Sequence, residues 1–265
     1  MSAVYKLLAL DLDGTLLRAD HTVDPRDVAA IAELQRAGVT VTILTGRLHS
    51  GALGAARACA IEGTIGCVEG SHLVDVHSAE TRAHHAIAPD EATRLRRAFA
   101  AAGLATFVFD KDGIHHEHAG APFAHYVSTW SPNLRVVEEA RAWDTQPLAA
   151  VAIGDREAVA AALAAVRGER IFAVSFAVGM CPGQHAVLVR AAGPTKGTAL
   201  AELCRGAGCT LAEAVVVGDW VNDVPMFEVA GRSFAMPGAP PHVSEHATDP
   251  LDAGGIAEAI RRAWG

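Results

Sequence analysis

Aromatic residues are scarce in this chain, 5% against 51% hydrophobic residues overall, so its core must be packed mainly from Ala, Val, Leu and Ile. The five cysteines, Cys59, Cys67, Cys181, Cys204 and Cys209, are odd in number and contain no C-x-x-C pair. They therefore read as reduced thiols rather than a disulfide framework, as in a cytoplasmic protein. Cationic runs are also missing: no stretch of Lys or Arg exceeds two residues and the net charge is -8. With a pI near 5.9, a nucleic-acid backbone would meet general repulsion, which argues against that partner. Long apolar segments are absent too. The N-terminal MSAVYKLLALDLDGT reaches acidic residues after a short apolar run, neither a signal peptide nor a bilayer span, so no membrane association is expected. There is no internal repeat and no low-complexity tract, and helix propensity alone accounts for the alanines of 158–165.

What is present is a repeated strand-and-helix order in 265 residues, enough for one large domain or two smaller ones. Val4 to Leu10 is a nearly continuous apolar run, the pattern of a strand covered on both faces, and it ends at Asp11-Leu12-Asp13-Gly14. Asp24 as N-cap, Pro25 in the first turn and Gly38 beyond the end delimit a helix through Ala37. Strand 39–44, helix 48–60 and strand 65–68 continue a β-α-β-α-β order. The same alternation returns with helix 196–205, strand 214–217, helix 221–230, strand 233–236 and helix 255–264. Between them, strands 106–109, 114–117 and 171–177 stand among paired strands, with helices at 90–102 and 155–166. The fold class expected is α/β, a doubly wound Rossmann-like parallel sheet from residues 1–81 and 191–265, with an α+β unit inserted over 82–190.

Asp11 and Asp13 sit two apart just past a buried strand, where side chains project from the carboxyl edge of the sheet. A solvated turn would use the same residues. A second acidic turn, Gly218-Asp219-Trp220-Val221-Asn222-Asp223, follows strand 214–217 and reads equally as a helix N-cap. If the two turns are neighbours, four carboxylates converge and need compensation, and an all-oxygen site with room for water suits Mg2+. Thr45-Gly46-Arg47 offers a hydroxyl, main-chain N–H groups and a helix start to an anion, or is an ordinary turn. Lys196 stands at a helix start, where the macrodipole disfavours a cation unless an anion or carboxylate lies opposite. Together these four places hold the parts that phosphoryl transfer requires.

On DLDGTLL at 11–17, TGR at 45–47, Lys196 within GPTKGTAL and GDWVNDVPMF at 218–227, the chain resembles the haloacid dehalogenase superfamily, in particular its Cof-type phosphatases with a large inserted cap. The resemblance implies Asp11 as a nucleophile that becomes transiently phosphorylated, with Asp13 as acid and then base. It implies Mg2+ held by the Asp11 carboxylate, the Asp13 main-chain carbonyl and Asp219, with Asp223 supporting the site directly or through its neighbours. Phosphate would be held by Leu12 N–H, Thr45, Gly46 N–H, Asn222 and Lys196, while Arg47 is a weaker candidate. The substrate would be a small phosphorylated metabolite such as a sugar phosphate, and the protein a monomer or homodimer.

Two departures bear on substrate choice: Trp220 stands where relatives carry a small or hydroxylated residue, and Glu69-Gly70-Ser71 where Asn-Gly-Ala is usual. His84-His85 and the run 115–118 read as exposed polar surface, and Cys204 and Cys209 as packing residues. A phosphomutase would share the phospho-aspartyl chemistry, and a receiver-type signalling module would share the acids, Thr and Lys around Mg2+. The long insertion argues against the latter, since a signalling surface must stay open.

Overall fold

The computed structural model describes residues 5–265, and Val4 of the first expected strand lies outside them. In chain order the elements are β1 (Leu7–Leu10), α1 (Pro25–Arg36), β2 (Thr40–Ile43), α2 (His49–Ala58), β3 (Thr64–Cys67), β4 (His72–Asp75) and β5 (Thr81–His84). Then follow α3 (Pro89–Ala101), β6 (Ala105–Phe109), β7 (Ile114–His116), α4 (Ala124–Val127), β8 (Leu134–Val136), α5 (Glu139–Trp143), β9 (Ala149–Gly154), α6 (Arg156–Val166), β10 (Ile171–Ala177) and β11 (His185–Ala191). The last are α7 (Lys196–Gly206), β12 (Ala214–Gly218), α8 (Val224–Phe227), β13 (Arg232–Ala235), α9 (Pro241–Ser244) and α10 (Ile256–Trp264). The chain divides into two compact units: residues up to Gly46 with Ala52–Ala83 and Pro194–Gly265, and Arg47–Gly51 with His84–Gly193.

In the first unit a parallel sheet runs β13-β12-β1-β2, with Leu7 opposite Ala214 on one side and Thr40 on the other. All four residues of β1 are buried, the signature of a strand covered on both faces. Leu7 and Ala9 join the apolar cluster formed with Ala199, Leu200 and Leu203 of α7, so Leu8 and Leu10 face the other layer. There α1 and α10 pack side by side, and Asp27 of α1 accepts a hydrogen bond from Ala257 N–H at the start of α10, 2.8 Å. Asp24 caps α1 by accepting from Arg26 N–H, Pro25 enters its first turn, and Gly38 at φ +88° ends it.

The regular β-α-β-α-β continuation is interrupted at β3, which lies beside β2 through a single parallel bridge between Leu44 and Gly66 and the hydrogen bond from Thr42 Oγ1 to Thr64 O at 2.8 Å, and pairs antiparallel with β4. The reason is a reversal after Cys67, where Val68, Glu69 and Gly70 all take positive φ. Helix 221–230 is also shorter than its sequence implies. A 3-10 turn over Val221–Asp223 precedes the four-residue α8, because the Asp223 carboxylate folds back onto the N–H groups of Asp219 and Trp220.

The second unit is a six-stranded sheet in the order β10-β11-β9-β6-β7-β8, antiparallel except where β7 meets β8. Leu95 and Phe99 of α3 and Val159 and Ala162 of α6 share a buried cluster with Val108, Ala150, Val187 and Val189 of the sheet. The reading of 115–118 as exposed surface is corrected here for its first two members. His115 and His116 are 8% and 3% exposed. The Asp110 carboxylate bonds His115 Nε2 at 2.7 Å, and the His116 ring stacks at 5.1 Å from Phe107. His116 Nδ1 also bonds the Glu117 carbonyl at 2.7 Å, so each imidazole has a hydrogen-bond partner that offsets the cost of its burial. His118 is exposed. All five cysteines are free, and burial, reinforced by Cys209, pushes the Cys204 thiol up to about 12. No helix among the described residues is long and apolar enough to cross a membrane.

Candidate active site

Where β1 ends, Asp11 N–H donates to Val217 O at 3.0 Å, so the first acid is fixed at the seam of two parallel strands. The turn then wraps back, with Leu12 O accepting from Thr15 N–H at 3.2 Å and Leu17 N–H at 2.7 Å. Gly14 at φ +86° lies against the second acidic turn; a Cβ there would stand 2.4 Å from Asp219 Oδ2, so only glycine fits. Thr15 Oγ1 donates to Asp219 Oδ1 at 3.0 Å. The two acidic turns are therefore neighbours, pinned to each other across 204 residues of sequence.

Lys196 is the first residue of α7, behind a reciprocal cap in which Thr195 accepts from Thr198 N–H and Thr198 from Thr195 N–H. Its side chain is fully buried, and Nζ donates to Asp11 Oδ1 at 2.5 Å and to Asp223 Oδ1 at 2.6 Å. These carboxylates are the counter-charges that a cation at a helix N-terminus demands. Burial alone would pull the ammonium down, but Asp11, Asp223 and Glu69 outweigh it and hold Lys196 above its ordinary value.

Asp11, Asp219 and Asp223 each bring an oxygen to within 4.8 Å of the others. Burial pushes Asp11 well above the usual carboxylate range, Lys196 opposes, and Asp223 and Asp219 add repulsion. Asp219 is raised by burial and then by Asp223, against the pull of Thr15 and Lys196. One ammonium faces three carboxylates, so the cluster is short of positive charge, and its all-oxygen donor set fits a hard divalent cation. Asp223 is already committed: its Oδ2 accepts from Asp219 N–H at 2.9 Å and Trp220 N–H at 3.0 Å, and its Oδ1 from Lys196. Asp11 and Asp219 are left as the side chains for an ion.

Of the remaining predicted residues, Thr45, Gly46 and Asn222 are connected through Glu69. Thr45 is buried, its N–H donating to Gly66 O at 2.9 Å and its carbonyl accepting from Glu69 N–H at 3.0 Å. Asn222 Nδ2 donates to Glu69 Oε1 at 2.9 Å, and a Cβ on Gly46 would lie 2.6 Å from that same oxygen. Leu12 is buried, whereas Asp13 is exposed and its carboxylate stands outside the three-acid cluster. Arg47 clusters instead with the second unit, its guanidinium donating to Gly51 O at 3.3 Å. Sequence reasoning gave no role to Thr15 or Gly14. A hydroxyl and a glycine in a turn are too common to announce a contact with an acid two hundred residues away.

A haloacid dehalogenase-like hydrolase family model matches residues 8–260. The pyridoxal phosphate phosphatase YbhA of Escherichia coli (strain K12) is 27% identical over 246 residues, spanning 87% of each chain. The HMP-PP phosphatase of Serratia proteamaculans (strain 568) is 28% identical over 244 residues, covering 91% of this chain and 86% of that one. Among solved structures, a haloacid dehalogenase-like hydrolase from Bacteroides thetaiotaomicron superposes with a TM-score of 0.83 at 22% identity, over 97% of this chain and 99% of that one. The subclass IIB sugar phosphatase BT4131 gives 0.80 at 20% identity, covering 97% and 98%. These structures share the fold, and the family model reaches from β1 into α10, past both acidic turns and Lys196. This chain belongs to the haloacid dehalogenase-like hydrolases.

Proposed function

We propose that the chain is a Mg2+-dependent phosphatase of small phosphorylated metabolites, with Asp11 as its nucleophile. The observation that carries this reading is the buried contact of Lys196 Nζ with Asp11 Oδ1 at 2.5 Å. A solvated turn would not fix its first carboxylate against a fully buried ammonium drawn from 185 residues away. The curated relatives named above are phosphatases of pyridoxal phosphate and HMP-PP, which supports the substrate class.

In the first half-reaction an Asp11 oxygen forms a bond to phosphorus as the ester P–O bond breaks, and Asp13 delivers a proton to the departing oxygen. In the second, the Asp13 carboxylate takes a proton from water, whose oxygen bonds to phosphorus as the Asp11–phosphorus bond breaks and orthophosphate leaves. The exposure of Asp13 suits both duties, since it must meet leaving group and water in turn. Lys196 holds the Asp11 carboxylate in place and faces the phosphate, while Asp223 holds Lys196 and the second turn. Leu12 N–H, Thr45, Gly46 N–H and Asn222 are the remaining phosphate donors. Mg2+ held by Asp11, Asp219 and the Asp13 main-chain carbonyl would supply the charge that lets a phosphate dianion approach. We assign the inserted unit, His84–Gly193, the role of cap, the source of selectivity among leaving groups.

A panel of phosphorylated sugars, nucleotides and cofactors, incubated with Mg2+ and read by released orthophosphate, tests the reading. Turnover of at least one small monoester is expected. Transfer of the phosphoryl group to a second substrate hydroxyl, with no orthophosphate released, would replace hydrolysis by mutase chemistry.

A further inference from the structure

Glu69 is a charged residue that the catalytic scheme does not use, and the fold goes to some trouble to place it. Val68, Glu69 and Gly70 are consecutive left-handed residues, at φ +49°, +56° and +89°, of which only glycine takes that conformation without strain. The turn is held by Glu69 N–H on Thr45 O and Ser71 N–H on Val68 O, both at 3.0 Å. Gly70 lets the turn approach α7 so closely that a Cβ would stand 2.6 Å from Thr195 O. The outcome is a carboxylate turned back into the cradle, with Oε1 2.9 Å from Asn222 Nδ2 and against Gly46. Asn222 Oδ1 is buried without a partner, so the amide is oriented by Glu69 alone. The charge also reaches Lys196, on which Glu69 acts beside Asp11 and Asp223.

We infer that Glu69 is a specificity-determining residue, a resident anion that shares donors with the substrate phosphate and selects phosphomonoesters against diphosphates. The inference rests on the phosphatase reading and narrows its substrate class. An incoming phosphate must share Asn222 and Lys196 with a carboxylate already bonded or close to them, and the repulsion grows with each charge the ligand carries. One phosphoryl group is tolerated because Asn222 has a second N–H and the clustered acids recruit a cation. A second phosphoryl group adds charge that the Glu69 carboxylate repels in its turn.

The test is the affinity of the whole protein for orthophosphate and pyrophosphate in the presence of Mg2+, by calorimetry, for wild type and Glu69→Gln. The glutamine keeps an oxygen for Asn222 and removes only the charge. Both anions are expected to bind more tightly to the variant, pyrophosphate gaining roughly threefold or more over orthophosphate. Glu69→Asn, neutral and more tolerant of left-handed backbone, is measured alongside and answers the question if the Gln variant does not fold. An unchanged ratio, or weaker binding of both anions, overturns the inference. A wild-type protein that binds orthophosphate but shows that unchanged ratio on substitution leaves the phosphatase reading standing. A wild type that binds neither anion and turns over no monoester removes both.

Discussion

Each unit buries a carboxylate against a nitrogen base, and the two do so in opposite ways. In the second unit, Asp110 accepts from Asp112 N–H at 2.8 Å, Gly113 N–H at 2.9 Å and His115 at 2.7 Å, all within five residues, where β6 turns into β7. Its oxygens are satisfied locally, and the arrangement clamps a hairpin. In the first unit, Lys196 gathers Asp11 and Asp223 from 185 and 27 residues away and still leaves Asp219 beside them. A balanced local pair is what folding requires; an unbalanced, long-range one costs stability unless something else binds there. Imbalance of buried charge separates a working site from a structural clamp.

The sharpest way to break this contrast is Asp11→Asn, of nearly the same shape but without the charge or the nucleophilic oxygen. Turnover, followed by orthophosphate release, is expected to fall by more than about a hundredfold, roughly 3 kcal/mol of transition-state stabilisation, with the circular dichroism spectrum unchanged. Retained turnover would reduce Asp11 to a structural acid like Asp110. Chelation should come next in size. EDTA is expected to abolish activity, and Mg2+ to restore it while raising the thermal midpoint, since an ion at about 100 times its dissociation constant adds about 2.7 kcal/mol. Activity that survives exhaustive dialysis against EDTA would mean that the acids are compensated without a cation.

The clamp predicts the reverse profile. His115→Ala leaves a buried Asp110 oxygen without its partner and is expected to destabilise by about 1–3 kcal/mol, seen as a lower unfolding midpoint. Hydrolysis of a small activated ester should not change. The smallest effect belongs to a half-exposed pair, Arg232 with Asp249, at 2.7 Å. The Arg232 guanidinium holds Asp249 below the usual carboxylate range. Its contribution is therefore present above the unfolded-state value of about 4 and lost as pH falls through the lower folded value. Asp249→Asn should be less stable than wild type at pH 7, by roughly 0.2–1 kcal/mol, with the gap closing below about pH 4. A gap that persists in acid would assign the effect to packing.

Much of the architecture was legible because the signals were local. A fully apolar β1, the Asp24 cap, Pro25 and Gly38 place the first strand and helix within a residue or two at most ends described. The turn at Val68 and Glu69 was not, since neither a β-branched residue nor a glutamate announces positive φ. Strands β9 and β11 were likewise not singled out: Ala-rich Ala149–Gly154 reads as helix or strand alike, and only its pairing decides. The buried histidines were misjudged because alternation gives facing but says nothing of partners such as Asp110 and Phe107. At the site, a lysine at a helix start carried its own physical demand for a carboxylate, and Lys196 has two.

The pairing of Leu7 with Ala214 has a consequence for how the chain is made. A ribosome working at about 5–20 residues per second releases β1 some 10–40 s before β12 exists. Throughout that interval Leu7–Leu10 can pair with β2 but has an open edge where its other neighbour belongs. The second unit's sheet runs from Ala105 to Ala191 without a missing strand, so it can close during translation while the first unit waits. The nascent chain can therefore hold every strand of the second sheet while the first sheet still lacks two, and the open flank of β1 is the kind of edge that pairs with other chains.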